Sequence, residues 1–205
     1  MKLLLASKSP RRRKLVETFN LEVVIVDIKV EEVVDPTLPA DKVAETLACA
    51  KADGYDSTLL YPDEVLLTAD TVVVVDGKVM GKPHDRDEAV AMLHNLSDKT
   101  HSVFTGVSLR SADKNVSFTE HTKVHFKKLS DEEIDYYVDT YKPYDKAGAY
   151  GIQEWIGMIG IDRIEGDFYN VMGLPVAHIW KMLREQWSAD SRQQVAVSRQ
   201  KTVTF

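Results

Sequence analysis

Lys2-Leu-Leu-Leu-Ala-Ser-Lys-Ser-Pro-Arg-Arg-Arg-Lys14 is a short apolar run that breaks into a hydroxyl-rich turn and then a basic segment with helical spacing. Leu3, Leu4 and Leu5 suit a buried strand, Ser9 is a preferred N-cap, and Pro10 fits the first helical position, where its missing N–H costs nothing. A strand therefore hands over to a helix that starts at Pro10. Ser7, Ser9, Arg11, Arg12 and Arg13 converge on that helix end. Basic residues oppose the helix dipole there. The stretch reads either as an anion site suited to phosphate or as an ordinary cap beside a solvated basic face.

Further along, Glu22-Val-Val-Ile-Val-Asp27 is rich in β-branched residues and predicts a second strand, followed by the acidic pair Glu31-Glu32 and a proline-containing loop ending near Pro39. Val43, Ala44, Leu47, Ala48 and Lys51 recur at helical spacing. They predict an amphipathic helix over 40–55, with Lys51 beside the apolar stripe and either snorkelling or pointed into a cleft. In Val65-Leu-Leu-Thr-Ala-Asp-Thr-Val-Val-Val-Val-Asp76 a carboxylate and a hydroxyl interrupt what is otherwise one long buried run. A charge inside an apolar strand is costly unless it is paired, hydrated or bound to metal, which makes Asp70 the leading candidate for chemistry. The alternative is a bulge or strand break in which Asp70 caps a turn. Asp76-Gly77 predicts a hairpin turn, and Lys82, held extended ahead of Pro83, sits in the loop that follows.

Residues 85–95 predict a surface helix, residues 101–109 and 116–126 the two strands of a hairpin, and Ser130-Asp-Glu-Glu133 a capping box opening another helix. His101 and His125 have no second ligand at metal-binding spacing and read as ordinary strand histidines. Pro143-Tyr-Asp-Lys-Ala-Gly-Ala-Tyr-Gly-Ile-Gln153 is too polar for a core and reads as a functional loop or a packed Ω-loop. In it Gln153 carries the donors and acceptor needed to read a base edge, and Lys146 adds a cation for phosphate or for a structural ion pair. Residues 156–164 predict an apolar strand and 166–170 a turn, and a helix follows Gly173-Leu-Pro175 within 171–187. The polar stretch 188–205 is expected to be a mobile tail, leaving 1–187 as a single domain.

The 205-residue chain, 44% hydrophobic and 28% charged, has the composition of an ordinary globular protein. Its net charge of -6 argues against a general nucleic-acid coat and makes the N-terminal basic cluster a local exception. Cys49 is the sole cysteine, so there is no intramolecular disulfide and no cysteine-based zinc cluster. The opening apolar run is too short for a signal peptide, and no stretch reaches membrane-spanning length. The expectation is a cytoplasmic protein with neither nucleic acid nor membrane as partner.

Leu5-Ala-Ser-Lys-Ser-Pro-Arg-Arg, Ala69-Asp-Thr-Val-Val, Gly81-Lys-Pro, His101-Ser-Val-Phe-Thr-Gly, Lys146-Ala-Gly-Ala-Tyr-Gly-Ile-Gln and Asn170-Val-Met-Gly-Leu-Pro follow one another in the chain. In that order they resemble the motifs of the Maf family of nucleoside triphosphate pyrophosphatases, over nearly the whole chain apart from the tail. The resemblance implies a Maf/Ham1-like (ITPase-like) α/β fold: a mixed, elongated, twisted sheet flanked by helices, with two lobes around a central cleft, usually as a homodimer. It also implies cleavage of a nucleoside triphosphate between the α- and β-phosphates, releasing a monophosphate and pyrophosphate.

Matched residue by residue, Asp70 takes the family's general-base position, and Ser9, Arg12, Glu32, Lys51 and Lys82 its phosphate-and-metal constellation. Mg2+ or Mn2+ is then expected near Glu32 and Asp70, with Asp70 as base or as metal ligand. Arg11, Thr71 and Gln153 fall where the family's branches separate. The branch acting on 7-methyl-GTP typically has tryptophan where Arg11 stands, so the resemblance points to the branch that hydrolyses dTTP and UTP. Two departures stand out: Glu154-Trp155 in place of the glycine that often follows the glutamine, and Arg13 beyond the usual arginine pair. The alternatives are a pyrophosphatase for other or modified triphosphates such as 7-methyl-GTP, and a non-catalytic nucleotide-binding regulator of cell division.

Overall fold

The computed structural model describes residues 1–30 and 37–187; Glu31-Glu32 and the stretch 188–205 lie outside the described residues. Strand β1 (Lys2–Leu5) buries its three leucines and gives way to helix α1 (Pro10–Val16), where the Ser9 hydroxyl accepts the Arg12 N–H as N-cap. Strand β2 (Glu22–Ile25) and helix α2 (Ala40–Asp53) precede the long strand β3 (Glu64–Val75). Asp76 and Gly77, both at positive φ, turn β3 back into β4 (Lys78–Met80), as a two-residue hairpin of opposite hand requires. Helix α3 (Arg86–Leu96) leads into the hairpin of β5 (Thr100–Arg110) and β6 (Asn115–Phe126), and the predicted capping box of Ser130 and Glu133 starts α4 (Asp131–Tyr141).

The last part of the chain departs from the sequence reading. Residues 156–164 form not one strand but helix α5 (Trp155–Gly160) followed by β7 (Ile161–Glu165). An apolar run without period does not distinguish the two states, and the Glu154 carbonyl tips the balance by accepting the N–H groups of Gly157 and Met158 in one helical turn. The expected turn at 166–170 is in part helix α6 (Phe168–Met172), capped by Asp167, and α7 (Val176–Trp187) follows.

The seven described strands make one mixed sheet in the order β2-β1-β3-β5-β6-β7, with β4 also on β3. β1 runs parallel to β2 and β3, and all other pairings are antiparallel. β3 passes unbroken through Asp70 and Thr71, which pair in register with Gly106 and Thr105, so the strand-break alternative is not realised. Side chains alternate between faces along β3. Leu66, Thr68, Asp70 and Val72 share the face that α2 covers, where the Thr68 hydroxyl donates to the Ala48 carbonyl at 2.6 Å. The opposite face carries two cores. One gathers Leu3, Leu5, Val16, Leu67, Ile179 and Leu183 around α1 and α7. The other gathers Val73, Leu93, Val103, Ile134 and Tyr137 around α3 and α4.

Candidate active site

The two cores meet across a gap that the register of β3 creates. On one edge, β1 pairs with β3 only from Glu64 to Leu67, and β4 begins at the pair Val73–Met80. Residues 68–72 therefore have no strand beside them on that edge, and the gap opens into a cleft of about 1090 Å³. Asp70 and Thr71 point to opposite faces of the sheet, and the gap lets groups from both faces enter one space. Nine sequence-predicted site residues line it: Ser9, Arg11, Arg12, Lys51, Asp70, Thr71, Lys82, Lys146 and Gln153. The tenth, Glu32, lies outside the described residues.

Lys51 comes from the last turn of α2 and points into the cleft, where its ammonium binds the Asp70 carboxylate. Of the two orientations open to Lys51, the structure takes the inward one. Gly106, directly opposite Asp70 on β5, explains why: a Cβ there would stand 2.2 Å from the Ala44 carbonyl carbon and the Glu45 nitrogen. The missing side chain lets the α2 backbone rest on the sheet, close enough for Lys51 to reach Asp70.

The arginines of α1 diverge. Arg12 reaches inward, donating from Nη1 to the Ala69 carbonyl at 2.8 Å, from Nε to the Gly173 carbonyl at 2.7 Å, and from Nη2 to the Thr71 hydroxyl at 2.9 Å. Its guanidinium is thereby fixed against β3 and the segment after α6. Thr71 in turn sits 2.9 Å from the Thr105 hydroxyl, which donates to the Asn170 carbonyl. Asn170 is fully buried and donates to the Val103 carbonyl and the Thr122 hydroxyl, pinning α6 to the sheet and so placing the Gly173 carbonyl that Arg12 uses. Sequence reasoning had given Asn170 no role beyond its place in a motif. Arg13 donates to the Ser7 carbonyl at 3.3 Å, and Lys82 is exposed at the rim beside Gly81.

The loop over 143–153 closes the other side. Gly148 N–H donates to the Gly81 carbonyl, tying the loop to the segment that carries Lys82. Arg11 Nη1 meets Asp145 Oδ2 at 2.6 Å, so a residue of α1 is joined to this loop across the cleft. Of the two roles open to Lys146, the structure realises the ion pair: the residue is 8% exposed, with Nζ 2.7 Å from Asp145 Oδ1 and 3.2 Å from Glu154 Oε1. Burial would raise the Asp145 pKa, but hydrogen bonds from Lys146 and Arg11 outweigh it and hold the carboxyl below its usual range. Gln153 presents a buried Oε1 with no hydrogen-bond partner among the described residues.

Beneath the loop, His101 Nε2 and the Tyr150 hydroxyl lie 2.8 Å apart, and burial pushes the His101 pKa down to about 3, so its imidazole is neutral. His125 lies against Thr100 and Glu165 on the sheet. Among the described residues no three His, Cys, Asp or Glu side chains form a metal cluster, and no helix is long and apolar enough to cross a membrane.

Comparison with known proteins places this architecture. A dTTP/UTP pyrophosphatase of Phocaeicola vulgatus is 49% identical over 185 residues, covering 90% of this chain and 95% of that protein. Proteins of the same name from Parabacteroides distasonis and Bacteroides thetaiotaomicron are 50% and 48% identical, each covering 89% of this chain and 95% of its relative. Among solved structures, the Staphylococcus aureus Ham1 protein is similar at a TM-score of 0.47 and 14% identity, over 62% of this chain and 72% of that one, a likeness too slight to carry a conclusion. The Maf model, described as Maf-like protein, matches residues 2–186, which span every described strand and the cleft between β1 and β4: the chain belongs to the Maf family.

Proposed function

We propose that the chain is a nucleoside triphosphate pyrophosphatase that hydrolyses dTTP and UTP to the monophosphate and pyrophosphate. The observation that carries this reading is the meeting of Arg12, Lys51, Asp70 and Lys82, from four separate segments, in one cleft. The names of the relatives at 48–50% identity agree with it. A triphosphate brings several negative charges, which have to be neutralised before water approaches phosphorus. Arg12, Lys51 and Lys82 supply opposite charge, and Ser9 a hydroxyl donor. Asp70 takes the proton of a water whose oxygen bonds to the α-phosphorus. The bond from that phosphorus to its bridging oxygen breaks, and pyrophosphate leaves toward the cations.

Asp70 at the cleft, with Glu32 as the second carboxylate that the family resemblance implies, would hold Mg2+ or Mn2+, which take one or two carboxylates, waters and phosphate oxygens rather than a full protein cage. Such an ion, when bound, adds charge neutralisation and polarises a phosphoryl oxygen. Base choice falls to Gln153, with Arg11 and Thr71 lining the same cleft. The Gln153 amide carries an acceptor oxygen for a donor on the base edge. The ring N3–H of thymine or uracil is such a donor, whereas cytosine carries an acceptor there. Lys146 acts through the ion pairs that hold the loop. The acidic net charge supports a small nucleotide rather than nucleic acid as partner, and the lone cysteine a cytoplasmic setting. The homodimer rests on the family resemblance.

The test is pyrophosphate release from dTTP, UTP, CTP and 7-methyl-GTP with Mg2+ or Mn2+. The expected result is turnover of dTTP and UTP at least about tenfold above the other two in kcat/KM, the worth of one well-made hydrogen bond to a buried group. Release from 7-methyl-GTP alone, or from none of the four, overturns the reading.

A further inference from the structure

Glu154 stands where the family resemblance leads one to expect glycine, and its carboxylate is built into the loop that carries Gln153. One oxygen, Oε2, accepts the Tyr137 hydroxyl proton, and the other, Oε1, lies 3.2 Å from Lys146 Nζ. Tyr137 is fully buried on α4 and uses its hydroxyl oxygen to accept the Gly151 N–H at 3.0 Å. Gly151 completes the arrangement. A Cβ on it would stand 2.8 Å from Glu154 Cδ and 2.9 Å from Gln153 Nε2. The Glu154 carboxylate and the Gln153 amide therefore both lie over the bare Gly151 backbone.

We infer that Glu154 is a positioning residue for base selectivity: anchored by Tyr137 and Lys146, it fixes the Gln153 amide where it meets the base. The inference rests on the reading of this cleft as a dTTP and UTP pyrophosphatase site. Glu154 touches neither the phosphates nor the water in that reading, so its loss acts on binding of the base. Removing the carboxylate leaves the buried Tyr137 hydroxyl without its acceptor and Lys146 with Asp145 alone, a loss that the glutamine variant relieves in part by still accepting from Tyr137.

The experiment measures kcat and KM for dTTP, UTP and CTP with the full chain and with Glu154→Ala, Glu154→Gln, Gly151→Ala, Gln153→Ala and the Gln153→Ala/Glu154→Ala double variant, each checked for folding by circular dichroism. Glu154→Ala is expected to raise KM for dTTP and UTP about tenfold with kcat within about threefold, and to narrow the preference over CTP. Glu154→Gln recovers most of the loss. Gly151→Ala, which crowds the same two side chains from the backbone side, shifts KM in the same direction and keeps the inference testable should Glu154→Ala fail to fold. In the Gln153→Ala background, Glu154→Ala adds less than about twofold, because the group it positions is gone. A full Glu154→Ala effect in that background, or a fall in kcat with the preference over CTP intact, overturns the inference while leaving the activity standing. A wild-type chain inactive on dTTP and UTP removes the activity and the inference with it.

Discussion

Asp70→Asn is expected to lower kcat for dTTP by about a thousandfold, within the range general-base removal costs, while the variant remains folded. The structure separates these two effects. Asp70 pairs with Gly106 of β5 on one edge of β3 and faces the gap between β1 and β4 on the other, where the cleft reaches it. Asparagine keeps its size and still accepts from Lys51, so the strand register with β5 is retained. What it loses is the negative charge that holds the Lys51 ammonium and, in the proposed reaction, takes the proton from water. Weakening a charge-assisted bond of this kind costs about 2 kcal/mol, which lowers the unfolding midpoint by roughly 6 °C in a chain of this size. A folded Asp70→Asn protein with near-normal turnover would remove Asp70 from the chemistry.

The second large effect lies away from the reacting atoms. Gly106→Ala is expected to destabilise the protein by about 3 kcal/mol or more, lowering its midpoint by about 10 °C, because the new methyl would stand 2.2–2.3 Å from backbone atoms of Ala44 and Glu45. A flexible side chain could move aside, but a helix backbone cannot do so alone. The whole of α2 has to rise, and it takes Lys51 away from Asp70, so activity falls together with stability. Gly81→Ala is the control: it borders the same cleft, has nothing within 4 Å of its Cβ position, and is expected to change stability by no more than about 0.5 kcal/mol. If thermal unfolding put Gly106→Ala within a degree or two of wild type, the close seating of α2 would not be what brings Lys51 to the site.

These two positions show what the sequence makes legible. Asp70 is conspicuous because a carboxylate in an apolar strand breaks a pattern, and Ser9 with Pro10 marks the start of α1 because cap chemistry is local. The direction of Lys51 is not local. It depends on a glycine in a distant strand, and a helical spacing cannot report what lies across from it. Arg12 is similarly conditional: its basic character is visible in the chain, but the Ala69 and Gly173 carbonyls that orient it come from two other segments. Tyr137 is a core residue of α4, and the partners of its hydroxyl belong to a loop that periodicity does not describe. Residues 156–160 depart from the expected strand, which begins only at Ile161, for a related reason: a short stretch without charge carries no period, and the Glu154 carbonyl decides in favour of a helical turn.

In the proposed reaction water beside Asp70 attacks the α-phosphorus, and hydrolysis of dTTP in 18O-labelled water, with mass analysis of both products, reports which phosphorus the water joins. The predicted result is one 18O atom in the dTMP phosphate and none in pyrophosphate. Label in the pyrophosphate, or orthophosphate as the released product, would contradict it.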